Sequence, residues 1–74
     1  MEIIQLREDY IKLGQALKAA GLVGSGVEAK IVISEGLVKV NGKVEIQRGK
    51  KLVHGDVVSF GNETIKIEKW LLSH

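Results

Sequence analysis

The chain has 74 residues, of which 45% are hydrophobic, and this predicts one small globular domain over residues 1–74. Cysteine is absent and only two histidines occur, which excludes a disulfide scaffold and argues against a metal centre. The net charge is only +2, no apolar run could cross a bilayer and the start lacks a secretory signal, so we expect a cytoplasmic protein that needs no cofactor.

The first elements predicted along the chain are a short strand and a helix. Residues 3–6 are mostly apolar and compatible with a strand. Apolar side chains then recur at helical spacing and Gly21 provides a natural stop, so we predict a first helix over residues 12–20. The apolar positions of this helix are Leu13, Ala16, Leu17 and Ala20.

A second helix is indicated by its start and stop signals. Ser25 followed by Glu28 matches a capping box, in which the two side chains bind free amides at the helix start. An apolar stripe follows, and Gly36 is the stop. We therefore predict a second helix over residues 26–35. Neither helix is long enough to be stable without packing against the rest of the chain.

Beyond the second helix the hydrophobic period changes to two, which indicates strands. Asn41-Gly42 and Gly61-Asn62 are hairpin turns, because Asn and Gly both tolerate a positive φ. Between these turns lies a polar, basic loop over residues 47–51. The predicted strands are residues 37–40, 44–46, 57–60 and 64–67. The predicted fold class is α+β, with two short packed helices followed by a small, mostly antiparallel sheet.

The distribution of charge points to a polyanionic partner. Residues 12–51 carry eight Lys or Arg side chains against three Glu, whereas both ends are slightly acidic. A phosphate-binding surface needs several cations on one rigid face, with polar groups at a helix start or a turn assisting them. The candidates are Lys12, Ser25, Gly26, Lys30, Lys39, Asn41, Lys43, Arg48, Lys50 and Lys51. The same charges could equally form a solvated surface, and Asn41 could be present only for its backbone preference.

The few aromatic residues bear on the kind of nucleic acid that would be bound. Tyr10 is the one ring expected to be exposed, since Phe60 should point inward on its strand. No aromatic residue interleaves with the basic positions, which argues against single-strand binding by base stacking. Recognition of folded or double-helical RNA through shape and backbone charge fits better.

Two alternatives remain open. The apolar segment Trp70-Leu71-Leu72 either packs back over the core, which is favoured for a terminus of this kind, or docks a protein partner together with the sheet edge. A small hydrolase would need His54 as its base, but His54 is expected in a surface turn. The glycine-rich loops that bind nucleotides are missing, so catalysis is not expected.

Several residues occur in an order that is typical of a known family. They are Leu13-x-x-x-Leu17, Gly21-Leu22, Ser25-x-x-x-Ala29-Lys30, Ile33-x-x-Gly36-x-Val38-x-Val40-Asn41-Gly42 and Leu52-x-x-Gly55-Asp56-Val57-Val58. Over about residues 10–60 the set resembles the S4-like RNA-binding domain, also called the αL motif. The form is similar to the small stand-alone bacterial members of that family, the YbcJ/YaaA type.

The resemblance implies RNA bound along the first helix, the start of the second helix and the hairpin. By position, the implied contacts are Lys12, Ser25, Gly26, Lys30, Asn41, Gly42 and Lys43, with Arg48, Lys50 and Lys51 beside them. The chain departs from the family at Gly26, where many members have Arg, and at Lys12-Leu13-Gly14, where many have Arg-Leu-Asp. The resemblance implies a free-standing, non-catalytic binder of structured RNA, with ribosomal RNA, tRNA and a ribosomal setting as the expectations.

Overall fold

Two short helices lie against one face of a sheet in this protein, whose computed structural model describes residues 1–70. Helix α1 spans Leu13–Ala19 and helix α2 spans Gly26–Ser34. Both predicted helices are confirmed; α1 is one residue shorter than predicted at each end, and α2 is one residue shorter at its end. Within the described residues, neither helix has the length and hydropathy that crossing a membrane requires.

Both helices end at a glycine with a positive φ. After α1, Gly21 (φ 75°) donates its amide to the Lys18 carbonyl, and Leu22 donates its amide to the Leu17 carbonyl, both at 3.0 Å. Gly36 (φ 76°) repeats the arrangement after α2. These are Schellman motifs, in which the residue after the helix takes a left-handed conformation that glycine adopts without strain. The glycines therefore fix where each helix stops.

Helix α2 begins with one half of the predicted capping box. The hydroxyl oxygen of Ser25 accepts a hydrogen bond from the Glu28 amide at 3.1 Å. The Glu28 carboxylate accepts a hydrogen bond from the Gly24 amide at 2.7 Å, whereas a full capping box would use the Ser25 amide. Glu28 also places a negative charge at the positive end of the helix dipole.

Among residues 1–70, seven strands form two sheets. They are β1 (Glu2–Leu6), β2 (Ile11–Lys12), β3 (Val38–Val40), β4 (Lys43–Val44), β5 (Lys51–Leu52), β6 (Val57–Phe60) and β7 (Glu63–Lys69). The main sheet has the order β1-β7-β6-β3-β4, and only β1 and β7 pair in parallel. Strands β2 and β5 form a separate antiparallel ribbon. The predicted α+β fold with a mostly antiparallel sheet is confirmed.

Three details of the sheet differ from the prediction. The strand predicted over residues 44–46 is β4, which spans only Lys43–Val44. It is shorter because the chain leaves the ladder after the Glu45 amide donates to the Val38 carbonyl. The β2–β5 ribbon was not predicted, since strands of two residues are too short to show a hydrophobic period. Strand β1 joins the main sheet beside β7, so the sheet includes a strand that precedes the helices.

One cluster of apolar side chains fills the space between the helices and the sheet. One face of the sheet is covered by the helices and the other is exposed. Strand β3 shows both faces, because Val38 and Val40 are buried while Lys39 between them is exposed. The largest fully buried side chains are Leu13, Leu17, Ile33, Leu52, Ile65, Ile67, Val38 and Val58. Within residues 1–70 no polar or charged side chain is buried, so every described cation is at the surface.

Polar contacts connect the loops to the end of β7. The Lys69 ammonium lies 2.7 Å from Asp9 Oδ1, and this hydrogen bond and its positive charge lower the pKa of Asp9. The Lys69 amide donates to Nδ1 of His54 at 3.0 Å. The Arg7 guanidinium lies 5.6 Å from the centre of the Trp70 ring. The remainder of the predicted apolar tail, Leu71-Leu72, lies outside the described residues.

Candidate nucleic-acid interface

The basic loop over residues 47–51 docks onto the start of α1. The Leu13 amide donates to the Lys50 carbonyl at 2.8 Å, and the Gly14 amide donates to the Arg48 carbonyl at 3.0 Å. Helix starts leave their first amides without intrahelical partners, and here the loop supplies two acceptors. The predicted loop is therefore fixed against the helix, and its cations are held beside those of α1.

A cleft runs between the two helices at this point; we call it the α1–α2 cleft. Its volume is about 330 Å³, and it is lined by Lys12, Gly14, Gln15, Lys18, Gly26, Ala29 and Arg48. Three cations surround it, three of its lining residues are Gly or Ala, and no carboxylate lines it. This combination of open space and positive charge suits a phosphate group.

The start of α2 brings the next predicted residues to the cleft. Gly26 is in its wall, and a Cβ added there would meet no atom within 4 Å, so the position is open. Ser25 is engaged in capping the helix, which gives its hydroxyl a structural role. Lys30 is exposed and follows Gly26 by one helical turn on the same side of α2. Lys30 is therefore near the cleft, although it is not one of the residues that line it.

Asn41 fastens the hairpin turn to the neighbouring strand. Its φ is 53° and that of Gly42 is 83°, as a two-residue turn with positive φ at both positions requires. The Asn41 side chain donates to Asp56 Oδ1 at 3.0 Å and accepts from the Val57 amide at 2.9 Å. Asp56 also accepts from the Val53 amide at 2.8 Å. Asn41 thus has a conformational and a bonding role within the fold.

A second concave surface lies beside this turn; we call it the hairpin pocket. Its volume is about 290 Å³, and Lys43 and Lys50 contribute its positive charge. Two carboxylates line it as well, Glu45 and Asp56, and both accept backbone amides in their own loops. Lys50 belongs to the same docked loop as Arg48, so this loop contributes one cation to the hairpin pocket and one to the α1–α2 cleft.

The β2–β5 ribbon adds Lys51 to this surface. Lys12 pairs directly with Lys51, so both side chains leave the same face of the ribbon. The other pair, Ile11 and Leu52, packs toward the core. The Lys51 ammonium lies 4.8 Å from the centre of the Tyr10 ring.

Lys39 is the predicted residue that the fold places elsewhere. It pairs with Val44 on one side and Ser59 on the other, on the face of the sheet opposite to the core. Lys43 pairs with Val40, whose side chain faces the core, so Lys43 and Lys39 leave opposite faces of the same hairpin. The remaining predicted cations gather on the side of the helices and the docked loop; we call this surface the basic face. Its cations are the predicted Lys12, Lys30, Lys43, Arg48, Lys50 and Lys51, together with Lys18, which was not predicted.

The cations of the basic face form no ion pairs within residues 1–70. The ion pairs seen among residues 1–70 join Lys66 to Glu68 and Lys69 to Asp9. No cation of the basic face has a carboxylate oxygen within 4 Å in this part of the chain. These side chains are therefore available to an external anion.

The sequence reasoning missed two members of the cleft. Lys18 was expected only to aid solubility, yet it lines the α1–α2 cleft, one helical turn beyond Gly14. Gln15 was assigned no role, yet its Oε1 accepts the Lys12 amide at 3.2 Å and its side chain lines the same cleft. The helical spacing from Lys12 and Gly14 was the signal that could have found both.

Three other features have a structural role or no role that the described residues show. His54 uses Nδ1 to accept a backbone amide of β7, which makes it part of the turn before β6. No group of three or more His, Cys, Asp or Glu side chains in the described chain is arranged to hold a metal ion. The open sheet edge at β4 carries Val44, 54% exposed, and nothing in the structure indicates a partner for it.

Two helices on a mostly antiparallel sheet, with unpaired cations gathered at the helix starts and the hairpin, define a small basic binding domain of the S4-like class. The S4 domain family matches residues 4–68, and the chain belongs to that family.

Relatives of known name and structure agree with this assignment. The chain is 39% identical over 61 residues to "Putative RNA-binding protein YbcJ" of Escherichia coli (strain K12), a match covering 82% of this chain and 87% of that one. It is 46% identical over 55 residues to "Probable ribosome maturation protein RlbA" of Bacillus subtilis (strain 168), covering 74% and 78% respectively.

The fold is also similar to the solution structure of E. coli YbcJ, which is described as revealing an αL motif involved in RNA-binding. The TM-score is 0.71 with 38% sequence identity, and the similarity covers 92% of this chain and 87% of that one. The S4-like fold expected from the sequence is therefore confirmed.

Proposed function

We propose that this chain is an RNA-binding protein without catalytic activity, and that it holds structured or double-helical RNA on the basic face. The observation that carries the proposal is the docking of the 47–51 loop on α1, which places Arg48 in the α1–α2 cleft and Lys50 in the hairpin pocket and so links the cations of the two concavities. The names of the relatives, RNA-binding protein and ribosome maturation protein, support the same function.

The chemistry of this surface favours recognition of the RNA backbone. Lysine and arginine side chains that lack internal partners bind phosphates and release counterions, which makes binding strong and dependent on salt. An A-form helix offers phosphates and 2′-hydroxyls at regular spacing, and a rigid surface can match that spacing without reading bases. Ribosomal RNA and tRNA are the structured RNAs that we propose as targets.

The other attributes follow from this proposal. A protein that binds ribosomal RNA or tRNA would act in the cytoplasm, in keeping with the relative named for ribosome maturation. The proposal takes residues 1–74 as a single domain, supported by the single apolar cluster of the described residues. It assigns no reaction, since His54 is engaged in the fold.

A charge-reversal titration tests the basic face. Lys30→Glu combined with Lys43→Glu should reduce affinity for a blunt RNA duplex by tenfold or more, because two cations are replaced by repulsive charges. Filter binding at fixed salt measures the change, and circular dichroism with thermal melting checks that the fold is retained.

The matched control carries the same change of charge on the opposite face of the sheet. Lys39→Glu combined with Lys66→Glu alters net charge equally but leaves the basic face intact. We expect this variant to bind within a few fold of the wild type. An equal loss of affinity in both double variants would contradict binding on the basic face. It would show that RNA is attracted by the total charge of the protein and not by one surface.

A further inference from the structure

Tyr10 lies directly beside the cations, which the sequence did not predict. Tyr10 immediately precedes β2, in which Lys12 pairs with Lys51 of β5. The Lys51 ammonium lies 4.8 Å from the centre of the Tyr10 ring, and Tyr10 remains 40% exposed. An aromatic ring is therefore held at the border of the basic face.

The ring lines a separate cleft of about 440 Å³; we call it the Tyr10 cleft. Half of its lining residues are apolar or aromatic and half are polar or charged, with one charge of each sign: Ile4, Leu6, Tyr10 and Ile11, and Gln5, Gln15, Arg7 and Glu8. This lining differs from that of the α1–α2 cleft, which has three cations and no carboxylate. A lining that combines apolar side chains, an aromatic ring and hydrogen-bonding groups suits a neutral, planar group that forms hydrogen bonds. Because Arg7 and Glu8 balance each other, this cleft attracts a phosphate less than the α1–α2 cleft with its three cations does.

Gln15 connects the two clefts. Its side chain lines both of them, and its Oε1 accepts the Lys12 amide at 3.2 Å, which fixes the side chain at the border. A ligand with an anionic part in the α1–α2 cleft can therefore place a neighbouring part against Tyr10. A nucleotide has this composition, with a phosphate next to a planar base.

The turn that presents Tyr10 is anchored on both sides. Asp9, the preceding residue, forms the 2.7 Å ion pair with Lys69 of β7. Ile11, the following residue, is paired with Leu52 and packs against the core. The ring is thus offered from a fixed position, which lowers the ordering cost of stacking on it.

We infer that the Tyr10 cleft binds one unpaired nucleobase, stacked on the Tyr10 ring, while the adjacent phosphates occupy the basic face. The inference rests on the proposed function and deepens it by naming the RNA class, which is a double helix with an unpaired nucleotide beside it. Stacking on a single ring is consistent with recognition of helical RNA, since the cations still supply the main attraction.

The test compares two RNA duplexes of the same sequence, one blunt and one carrying a single 2-aminopurine bulge. The full-length wild type should bind the bulged duplex about tenfold more tightly, which is the usual size of one base–aromatic stack. The 2-aminopurine emission should be quenched on binding. Tyr10→Leu should lose both the preference and the quenching, whereas Tyr10→Phe, which retains a ring, should keep them.

Each other outcome has a defined meaning. If the wild type binds both duplexes equally, or if Tyr10→Leu keeps the preference, the inference is wrong while the proposed function stands. If Tyr10→Leu lowers the affinity for both duplexes equally, then Tyr10 only positions the Lys51 side chain. This result also overturns the inference. Failure of the wild type to bind either duplex would overturn the proposed function itself. Thermal melting of each variant shows that the fold is retained.

Discussion

Asn41 shows how one side chain can be specified by the fold and also lie at a functional surface. Its backbone has φ 53°, and its amide group connects the hairpin to Asp56 and to the backbone of β6. Asn tolerates this conformation better than most residues, and its side chain satisfies a backbone amide that would otherwise depend on water. These roles explain Asn41 without any contact to RNA.

Substitution of Asn41 should therefore lower stability more than it lowers affinity. Asn41→Ala should reduce the free energy of unfolding by about 2 kcal/mol, through a left-handed backbone strain and two lost hydrogen bonds. Asn41→Gly removes the hydrogen bonds but keeps the backbone relaxed, so we expect about half of that loss. Urea denaturation measures both values. A variant that melts like the wild type but binds RNA weakly would instead show that Asn41 contacts the ligand.

The helices and the hairpin are the elements that the sequence specifies most clearly. Capping residues, glycine stops and the change of hydrophobic period are local signals, and each acts within a few residues of where it occurs. The β2–β5 ribbon depends on a contact between segments about 40 residues apart, and two residues per strand carry no pattern. For this reason the elements could be predicted, while the ribbon and the position of Tyr10 beside Lys51 could not.

The residues of the candidate site also differ in how far local sequence signals could predict them. Residues near a helix start or a turn, such as Lys30 and Lys43, could be proposed from local spacing. Lys39 could not be separated from them, because the face that a strand residue occupies depends on which side is covered by the helices. Lys18 was undervalued because its neighbour Arg48 comes from a loop that only the fold brings to α1.

Two glycines at α1 should respond in opposite ways to substitution by alanine. A Cβ on Gly14 would lie 3.6 Å from the nearest Arg48 atoms, an ordinary contact, so Gly14→Ala should stabilise the fold by about 0.5 kcal/mol through helix propensity. Gly21 has φ 75°, so Gly21→Ala should destabilise it by about 1 kcal/mol. Chemical denaturation of both variants tests the pair; a loss of stability in Gly14→Ala would indicate that the docked loop cannot accommodate the methyl group.

Considered as a whole, the molecule separates its charges more sharply than its net charge of +2 suggests. The described ion pairs involve Lys66 and Lys69, on β7, whereas the cations of the basic face have no carboxylate partner within 4 Å among residues 1–70. Glu45 and Asp56 line the hairpin pocket beside Lys43 and Lys50 but form no ion pair with them, and the α1–α2 cleft is lined by three cations and no carboxylate. A local potential of this kind attracts polyanions even when the overall charge is small.

The dependence of affinity on salt should report the number of phosphates held. Each neutralised phosphate contributes about −0.7 to −0.9 to the slope of log affinity against log salt concentration. Arg48→Gln should make the slope shallower by about one such contribution, whereas Lys66→Gln, on β7, should leave it unchanged. Titrations at several salt concentrations measure the slopes. An unchanged slope in Arg48→Gln would remove the α1–α2 cleft from the phosphate contacts.

The bonds from α1 to the Arg48 and Lys50 carbonyls have a consequence for the speed of recognition. A free loop must first search for a productive arrangement, and that search slows association and weakens the complex. Here the segment is already immobilised by two amides, so an arriving RNA meets charges at their final spacing. Encounters between RNA and protein should therefore lead to bound complexes with little delay. The lifetime of the complex should then depend on how easily the RNA adjusts its shape, since the loop needs no adjustment.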